Sequence, residues 1–338
     1  MKKVLWTLSL VICLVISGCT EEAGPEVAEQ ENVQVETEEV NAQADEQQPE
    51  EEKVGDEPQG SERPEGFLWE VSNGPTTVYL LGTIHVTPDD FFPMAKHVEE
   101  AYQQTDVIVP EIDMNNINMT NMMQVTTELA RYQDGSTLQD HVSTDVYKQI
   151  ENEFSGTFGM GIEMINQFKP WFVMTLVEQM KVEKIGYTDG VDQYFLDKAD
   201  EDQKEIIALE TVEDQLGIFA GISDDYQVEM LKETLDVSQD QYKEELDQML
   251  ELYTQGDKKG LLDLLMVEEE ESNPDAEAYM TALNDDRNYN MAEQIQEFLE
   301  SGEEQTYFVI VGALHLTLEP HIGSILEKQG FEVERVQE

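Results

Sequence analysis

Cysteine is almost absent from this 338-residue sequence, which contains only Cys13 and Cys19. Cys13 lies inside an apolar N-terminal stretch, so removal of that stretch would leave Cys19 alone and exclude an intramolecular disulfide. The folded part must therefore be stable through its hydrophobic core. Roughly 270 residues follow the N-terminal region, enough for one large domain or two closely joined lobes.

Basic residues are also scarce. The chain has 19 lysines and arginines against 74 aspartates and glutamates, which gives a formal net charge of -55. Nucleic acids and anionic lipid surfaces are bound through basic patches, so this composition argues against both as direct partners. We interpret the acidity as favouring solubility and repulsion from an anionic envelope.

Long hydrophobic runs are confined to the first 19 residues, MKKVLWTLSLVICLVISGC. Two lysines, a short apolar segment and small residues before a cysteine are typical of an export signal, and the segment is too short to predict a transmembrane span. The ending ISGC resembles a bacterial lipobox, which implies that Cys19 is lipidated and anchors the protein at the extracytoplasmic face of the cell membrane. The alternatives are an ordinary cleaved signal and an uncleaved anchor.

Aromatic residues are missing from residues 20–66, which consist mainly of Glu, Gln, Asp, Pro and Gly. Such a composition cannot bury enough apolar surface to offset the entropy of ordering, so it predicts a disordered acidic tether. A flexible coil of this length spans roughly 40 Å, and like charges extend it further. The tether would hold the following domain clear of a lipid surface.

Histidine is rare as well, yet two of the five histidines occur in the same setting. Each follows a short apolar, strand-like run and a glycine by three residues: LLGTIH ends at His85 and IVGALH ends at His315. In open α/β sheets, ligands bind at the carboxyl ends of the strands, so the two histidines are expected to meet at one site. A single histidine so placed would more often be a turn residue bonded to backbone, but the duplication favours a shared functional site.

Two further strand-like runs end in acids. The run VIVPE ends at Glu111 and IIALE ends at Glu210, with Thr211 as the expected N-cap of the next helix. Either acid alone is explained by solvation or helix capping. Together with His85 and His315, however, they form a set of ligand and acid/base side chains at strand ends. We therefore expect all four residues to cluster at one edge of one sheet, close enough for a metal ion to contact at least three.

The remaining sequence predicts an α/β fold with a mixed central sheet and many helices. Residues 67–71 and 76–81 flank turn residues and predict a hairpin. The methionines of 118–123 are interpreted as core residues. Helical periodicity predicts helices in three longer segments: Trp171–Lys184, Gln227–Met249 and Asp275–Glu300.

Several motifs of the chain, taken in order, resemble the TraB family, which includes pheromone-shutdown proteins of bacterial plasmids, GumN proteins and the animal Tiki proteases. Singly these motifs are weak, but as an ordered set they are specific, and the resemblance covers residues 67–336. The matching stretches are LLGTIHV, VPEID, GVDQYFLDKA through IIALETVEDQL, LNDDRNYNMAEQI, and IVGALHL with a final GFEVERV.

The resemblance implies a domain over residues 67–338 whose α/β core is similar to that of erythromycin esterases and ChaN haem-binding proteins, with a large helical insertion at about 115–300. It also implies metal-dependent peptide hydrolysis. One departure concerns residues 316–323, where family members commonly have a glycine-containing loop. Here the loop is stiffer and carries an additional imidazole, His321, which bears on substrate access.

By motif, the resemblance makes His85 and His315 the GxxH histidines and Glu111 the acid of the first ExD. We predict that these three residues bind a divalent metal ion, because catalytic sites commonly use three protein ligands and leave a position for water, whose pKa falls to about 7 on zinc. Mn²⁺, Zn²⁺ and Co²⁺ all accept such mixed ligands.

The remaining catalytic roles fall to Glu210, Arg287 and Asn288. Glu210 is the predicted general base, although Glu111 and Glu210 can exchange roles. Arg287 is predicted to stabilise an oxyanion because its charge is permanent. By the resemblance, Asn288 is the polar residue paired with it.

The sequence thus favours a membrane-tethered, metal-dependent hydrolase that acts on extracellular peptides or proteins. One alternative is a metal-free hydrolase in which a histidine activates water directly. Another is a lipoprotein that sequesters a peptide or other ligand without turnover. A pure binding protein would not need acids beside both histidines.

Overall fold

The structure, a computed structural model, describes residues 2–4, 63–155, 161–268 and 273–337. The predicted lipidation site Cys19 and almost all of the predicted signal and tether lie outside these residues. The eight strands are β1 Lys2–Val4, β2 Phe67–Asn73, β3 Thr76–Thr83, β4 Val107–Pro110, β5 Glu205–Ile206, β6 Met266–Glu268, β7 Thr306–Gly312 and β8 Val333–Val336.

Six of these strands form the main sheet, in the order β5-β4-β7-β3-β2-β8. Strands β5, β4, β7 and β3 are mutually parallel, whereas β2 pairs antiparallel with both β3 and β8. The predicted α/β fold with a mixed central sheet is therefore confirmed. The two remaining strands, β1 and β6, form a separate antiparallel pair, which includes residues of the predicted export signal.

The predicted hairpin is formed by β2 and β3, which are joined at Gly74. This glycine has a φ of 61°, a conformation that residues with a Cβ rarely adopt. The hairpin fixes the direction of β3, which lies beside the parallel strand β7. As a result, the carboxyl ends of β3, β7 and β4 lie side by side at one edge of the sheet.

Helices account for most of the described chain. A 3-10 turn, Met114–Asn116, precedes the second helix, and a π-helical turn, Thr281–Asp285, precedes the thirteenth. The helices are α1 Lys96–Gln103, α2 Met119–Ala130, α3 Leu138–His141, α4 Thr144–Phe154, α5 Ile162–Ile165, α6 Pro170–Ile185, α7 Val191–Asp202, α8 Val212–Ala220, α9 Asp224–Asp236, α10 Gln239–Thr254, α11 Lys258–Leu265, α12 Pro274–Met280, α13 Asp286–Glu300, α14 Ala313–Thr317 and α15 Ile322–Gln329.

Two sequence predictions about this helical part are wrong in detail. The single helix predicted over Gln227–Met249 is divided into α9 and α10, because Ser238 caps α10 and exchanges hydrogen bonds with Gln241 in a capping box. The methionines near residue 120 are not all core residues. Met122 is buried, but Met119 and Met123 are 41% and 60% exposed.

Among the described residues, the hydrophobic core consists of three clusters. One lies between the sheet and helices α1, α7, α10 and α11. Another lies on the opposite face of the sheet, under α13 and α15. The third joins helices to one another without a strand and includes Trp171 of α6 and Phe219 of α8. Within the described residues, no helix is both long and apolar enough to span a bilayer.

Candidate functional site

Three of the predicted site residues converge on Gly312, the last residue of β7. A Cβ atom placed on Gly312 would lie 3.4 Å from Glu111 Oε1, 3.5 Å from His85 Nε2 and 3.7 Å from His315 Cδ2. These residues follow β4, β3 and β7, whose carboxyl ends are adjacent. The parallel sheet therefore brings together residues that are far apart in sequence.

Glu111 lies at the centre of this cluster and is only 7% exposed. Its Oε1 accepts a hydrogen bond from the Gly312 amide at 2.6 Å. Its Oε2 accepts from Arg287 Nη2 at 2.6 Å and from Gln215 Nε2 at 2.9 Å. Burial alone would raise the pKa of Glu111, but Arg287 and the neighbouring groups lower this pKa to about 2. Glu111 is therefore a fixed negative charge.

Glu210 joins the cluster through Arg287. Arg287 Nε donates to Glu210 Oε1 at 2.8 Å and Nη2 donates to Oε2 at 2.6 Å, while Nη1 donates to the Leu283 carbonyl at 3.1 Å. Burial disfavours the charged guanidinium, but the two carboxylates raise the pKa of Arg287 above its ordinary value. The result is a buried arginine shared between two carboxylates.

His85 is held by Asp192, the second residue of α7. Its Nδ1 lies 3.1 Å from Asp192 Oδ1. Burial acts to lower the pKa of His85, but the Asp192 carboxylate outweighs it and the pKa is raised. Helix α7 is docked directly on this segment, because the Val191 amide donates to the Ile84 carbonyl at 2.8 Å. A Cβ on Gly190 would lie 2.3 Å from the His85 carbonyl carbon, so only glycine allows this approach.

His315 is oriented by Asn288 of α13. Asn288 Nδ2 donates to the Pro320 carbonyl at 2.8 Å, which turns Asn288 Oδ1 toward His315 Nδ1 at 2.6 Å. His315 Nδ1 must therefore donate, so Nε2 of the neutral ring carries the lone pair; this Nε2 lies 3.6 Å from Glu111 Oε1. Burial and the Arg287 charge lower the pKa of His315 to about 3, so its imidazole is neutral.

The donor chemistry of this cluster fits a divalent metal ion. In metal sites, the second ring nitrogen of a histidine ligand commonly bonds to a carboxylate or carbonyl oxygen, as His85 does with Asp192 and His315 with Asn288. The spacing of these side chains is less favourable for binding a metal ion. In the described part of the chain, no three histidine, cysteine or carboxylate side chains are arranged closely enough to hold an ion as they are oriented.

His321, the additional imidazole of the loop, has a structural contact instead. Its side chain is the N-cap of α15, where Nδ1 accepts from the Ser324 amide at 3.0 Å. Its Nε2 lies 3.3 Å from a Glu319 carboxylate oxygen. Both ring nitrogens of His321 are thus engaged, one by the first turn of α15 and the other by Glu319 of the loop.

A small cavity, partly open to solvent, lies beside the cluster. Its polar lining includes Asp192 and Gln215, which are not among the site residues predicted from the sequence. Both belong to stretches that carry the TraB resemblance, GVDQYF and ETVEDQL. Their types gave no separate signal, because solvated aspartates and glutamines are common on helices.

The fold and the site together define an α/β domain with a buried histidine, carboxylate and arginine cluster at the carboxyl ends of parallel strands. A sequence model of the TraB/PrgY/gumN family matches residues 67–335, and the chain belongs to this family. The family predicted from the motifs is thus confirmed. No curated protein and no solved structure matches the chain.

Proposed function

We propose that this protein is a metal-dependent hydrolase that cleaves peptides or proteins outside the cell while tethered to the membrane through Cys19. The observation that carries the proposal is the convergence of His85, His315 and Glu111 on Gly312, with each histidine bonded to an oxygen acceptor through its Nδ1. That arrangement leaves both Nε2 atoms for a ligand.

His85, His315 and Glu111 would hold the ion. When bound, Mn²⁺, Zn²⁺ or Co²⁺ would supply a Lewis acid that polarises a peptide carbonyl and lowers the pKa of water. The protein's own part is to keep its donors in the required protonation state. Glu111 is ionised and His315 is neutral, as ligands must be.

The remaining residues position these donors. Asp192 orients His85, and Asn288 orients His315. Arg287, expected from the sequence to stabilise an oxyanion, donates from Nε and Nη2 to carboxylates. Glu210, expected to be the general base, accepts from Arg287 with both oxygens. We therefore propose that Arg287 and Glu210 fix Glu111, whereas proton transfer belongs to a group nearer the cavity.

A second candidate is metal-free hydrolysis, which the contact between His85 and Asp192 supports. A histidine with a carboxylate on one ring nitrogen can accept a proton from water on the other. The raised pKa of His85 suits such a base. The two candidate mechanisms can be distinguished with a chelator, which should abolish metal-dependent cleavage but not metal-free cleavage.

The test compares wild type with His85→Ala and His315→Ala, using full-length protein purified in detergent. Bound metal is measured by mass spectrometry after dialysis against Mn²⁺, Zn²⁺ or Co²⁺, and activity is measured as cleavage of a quenched fluorogenic peptide library with and without EDTA. Both variants should lose metal affinity and cleavage by at least about 100-fold, since changing even a group that supports a ligand costs about 10- to 100-fold.

His141→Ala is the matched control, because His141 is exposed and bonds to Ser136 away from the site. It should keep both metal and activity. Cleavage that persists in EDTA but disappears in His85→Ala would favour the metal-free mechanism. Binding of peptides without cleavage would leave only a sequestering role.

A further inference from the structure

Thr83, the last residue of β3, is one of the residues that line the site cavity. It pairs in parallel register with Gly312, two residues beyond the Leu81 and Ile310 pair. Side chains alternate along a strand, so Thr83 projects from the same face of the sheet as Ile310. Thr83, Ile310 and Pro110 line the cavity together, and Thr83 contributes the only hydroxyl among the described residues that line it.

The Thr83 hydroxyl has no hydrogen-bond partner among the described residues, although the side chain is only 2% exposed. Two polar neighbours of Thr83 in the cavity, by contrast, do have partners. His85 contacts Asp192, and Gln215 donates to both Glu111 and Glu210. Buried hydroxyls are normally bonded, so an unpaired hydroxyl on a residue that lines a cavity points to a polar atom supplied by a ligand.

A hydrolytic site also needs a donor for the oxygen on which negative charge develops. The Nε and Nη2 donors of Arg287 are directed at the two carboxylates, and Nη1 donates to a backbone carbonyl. The Gly312 amide donates to Glu111. Thr83 Oγ1 is the hydroxyl donor beside His85 that is not committed to a protein acceptor.

We propose that Thr83 is a substrate-binding residue whose hydroxyl donates a hydrogen bond to the carbonyl oxygen of a peptide bound beside His85. This inference rests on the hydrolase function proposed above and adds a residue to it. This hydrogen bond strengthens as negative charge develops on the carbonyl oxygen. It should therefore increase turnover more than it increases the affinity for the unreacted peptide.

Three variants isolate the hydroxyl. Thr83→Val keeps the shape and removes the donor, and Thr83→Ser keeps the donor. Thr76→Val is the matched control at the opposite end of the same strand, since Thr76 is equally buried but its hydroxyl donates to the Glu303 carbonyl at 2.6 Å. Each is compared with wild type on the peptide that wild type cleaves fastest.

Thr83→Val should lower kcat by about 100-fold or more, the usual effect of removing an oxyanion donor, with a small change in KM. Its metal content and Tm should equal or exceed those of wild type, because the hydroxyl has no protein partner to lose. Thr83→Ser should retain most of the activity. Thr76→Val should lose Tm without losing kcat. Wild-type kcat in Thr83→Val would overturn the proposal.

A second readout does not depend on cleavage. A peptide hydroxamate, which presents a carbonyl oxygen to the site, should raise the Tm of wild type and of Thr83→Ser more than that of Thr83→Val. If wild type cleaved no peptide but this difference remained, hydrolysis would fail while Thr83 still bound the ligand. Equal shifts in all three proteins would overturn the role of Thr83, as would no shift and no cleavage in wild type.

Discussion

Arg287 is the residue that allows two carboxylates to be buried side by side. Glu111 and Glu210 each accept from its Nη2 at 2.6 Å, and the side chains of all three are at most 10% exposed. Two buried carboxylates without a cation would repel each other and raise one of the two pKa values. The arginine removes this cost and leaves Glu111 ionised.

We predict that Glu210→Gln lowers the free energy of unfolding by about 1.5–3 kcal/mol, the typical cost of losing hydrogen bonds to a charged group, because Arg287 keeps Glu111 as a partner. Gln retains an oxygen acceptor but places an amide donor against the Arg287 donors. Urea denaturation followed by circular dichroism measures the change. If stability were unaffected and turnover fell by about 10²- to 10⁴-fold instead, Glu210 would be the general base expected from the sequence.

Glu100→Gln serves as the control for this comparison. Glu100 pairs with Lys96 at 3.0 Å, but the two side chains are 51% and 73% exposed. Exposed pairs at this helical spacing contribute only about 0.3–0.5 kcal/mol. The control therefore separates the loss of a buried charge partner from a general effect of removing one negative charge.

At the level of single residues, the sequence identified those cluster residues that occur in an unusual sequence pattern. It did not identify those whose residue type is common at their position. His85 and His315 stood out because histidine is rare and each follows a glycine at the end of an apolar run. Asp192 and Gln215 did not, because only the docking of α7 and α8 against the strand ends brings them to His85 and Glu111. Such contacts depend on tertiary packing.

At the level of elements, the buried strands were predictable and the divisions between helices were less so. The apolar run of β7 and the hairpin of β2 and β3 have clear sequence signals. The break at Ser238 has a weaker one, since the helical periodicity of α9 continues into α10 while one capping box separates them. A local hydrogen-bond pattern of this kind overrides periodicity.

Gly312 and Gly190 both lie close to neighbouring atoms at strand ends, but we predict different effects when each is replaced by alanine. The Gly312 substitution should affect metal binding, and the Gly190 substitution should affect stability. Gly312→Ala should fold, because its φ is -51° and the added Cβ would meet its neighbours at 3.4 Å or more. It would, however, occupy the point on which His85 and Glu111 converge. We expect metal affinity and cleavage to fall by about 10- to 100-fold with little change in Tm.

Gly190→Ala should instead lose stability, by at least about 1–3 kcal/mol, because its Cβ would lie 2.3 Å from backbone atoms of residues 84 and 85. Gly217→Ala, in α8 with nothing near the added Cβ, is the control and should gain up to about 1 kcal/mol. Thermal melts and metal titrations of the three variants check this ranking. Normal metal affinity in Gly312→Ala would place the ion elsewhere.

At the scale of the whole molecule, the described domain combines a sheet with a separate helical cluster. The cluster around Trp171 has no strand in its core, whereas the other two clusters cover the faces of the sheet. The sequence predicted both the sheet and abundant helix. Helical periodicity alone did not predict that a large share of these helices pack on one another, because periodicity shows which face is apolar and not what covers that face; only the family resemblance implied a helical insertion, at about 115–300.

For the whole chain we predict that Cys19→Ala releases the protein from the membrane fraction or leaves it unprocessed. The ISGC sequence motivates this expectation, because the substitution removes the cysteine that would carry the lipid. Fractionation and mass spectrometry of the mature N-terminus measure the outcome. A variant that is cleaved and retained like wild type would contradict the lipoprotein assignment.

The order of strands in the sheet also has a consequence for when the protein can fold. Strand β7, near the end of the chain, lies between β3 and β4, and its pairing partners in β3 are more than 200 residues earlier in sequence. A growing chain that has not reached Thr306 lacks this central strand and His315 as well. Pairing over such distances is slow, whereas the helical cluster is complete earlier in synthesis. The site is therefore assembled last, after the whole chain has emerged.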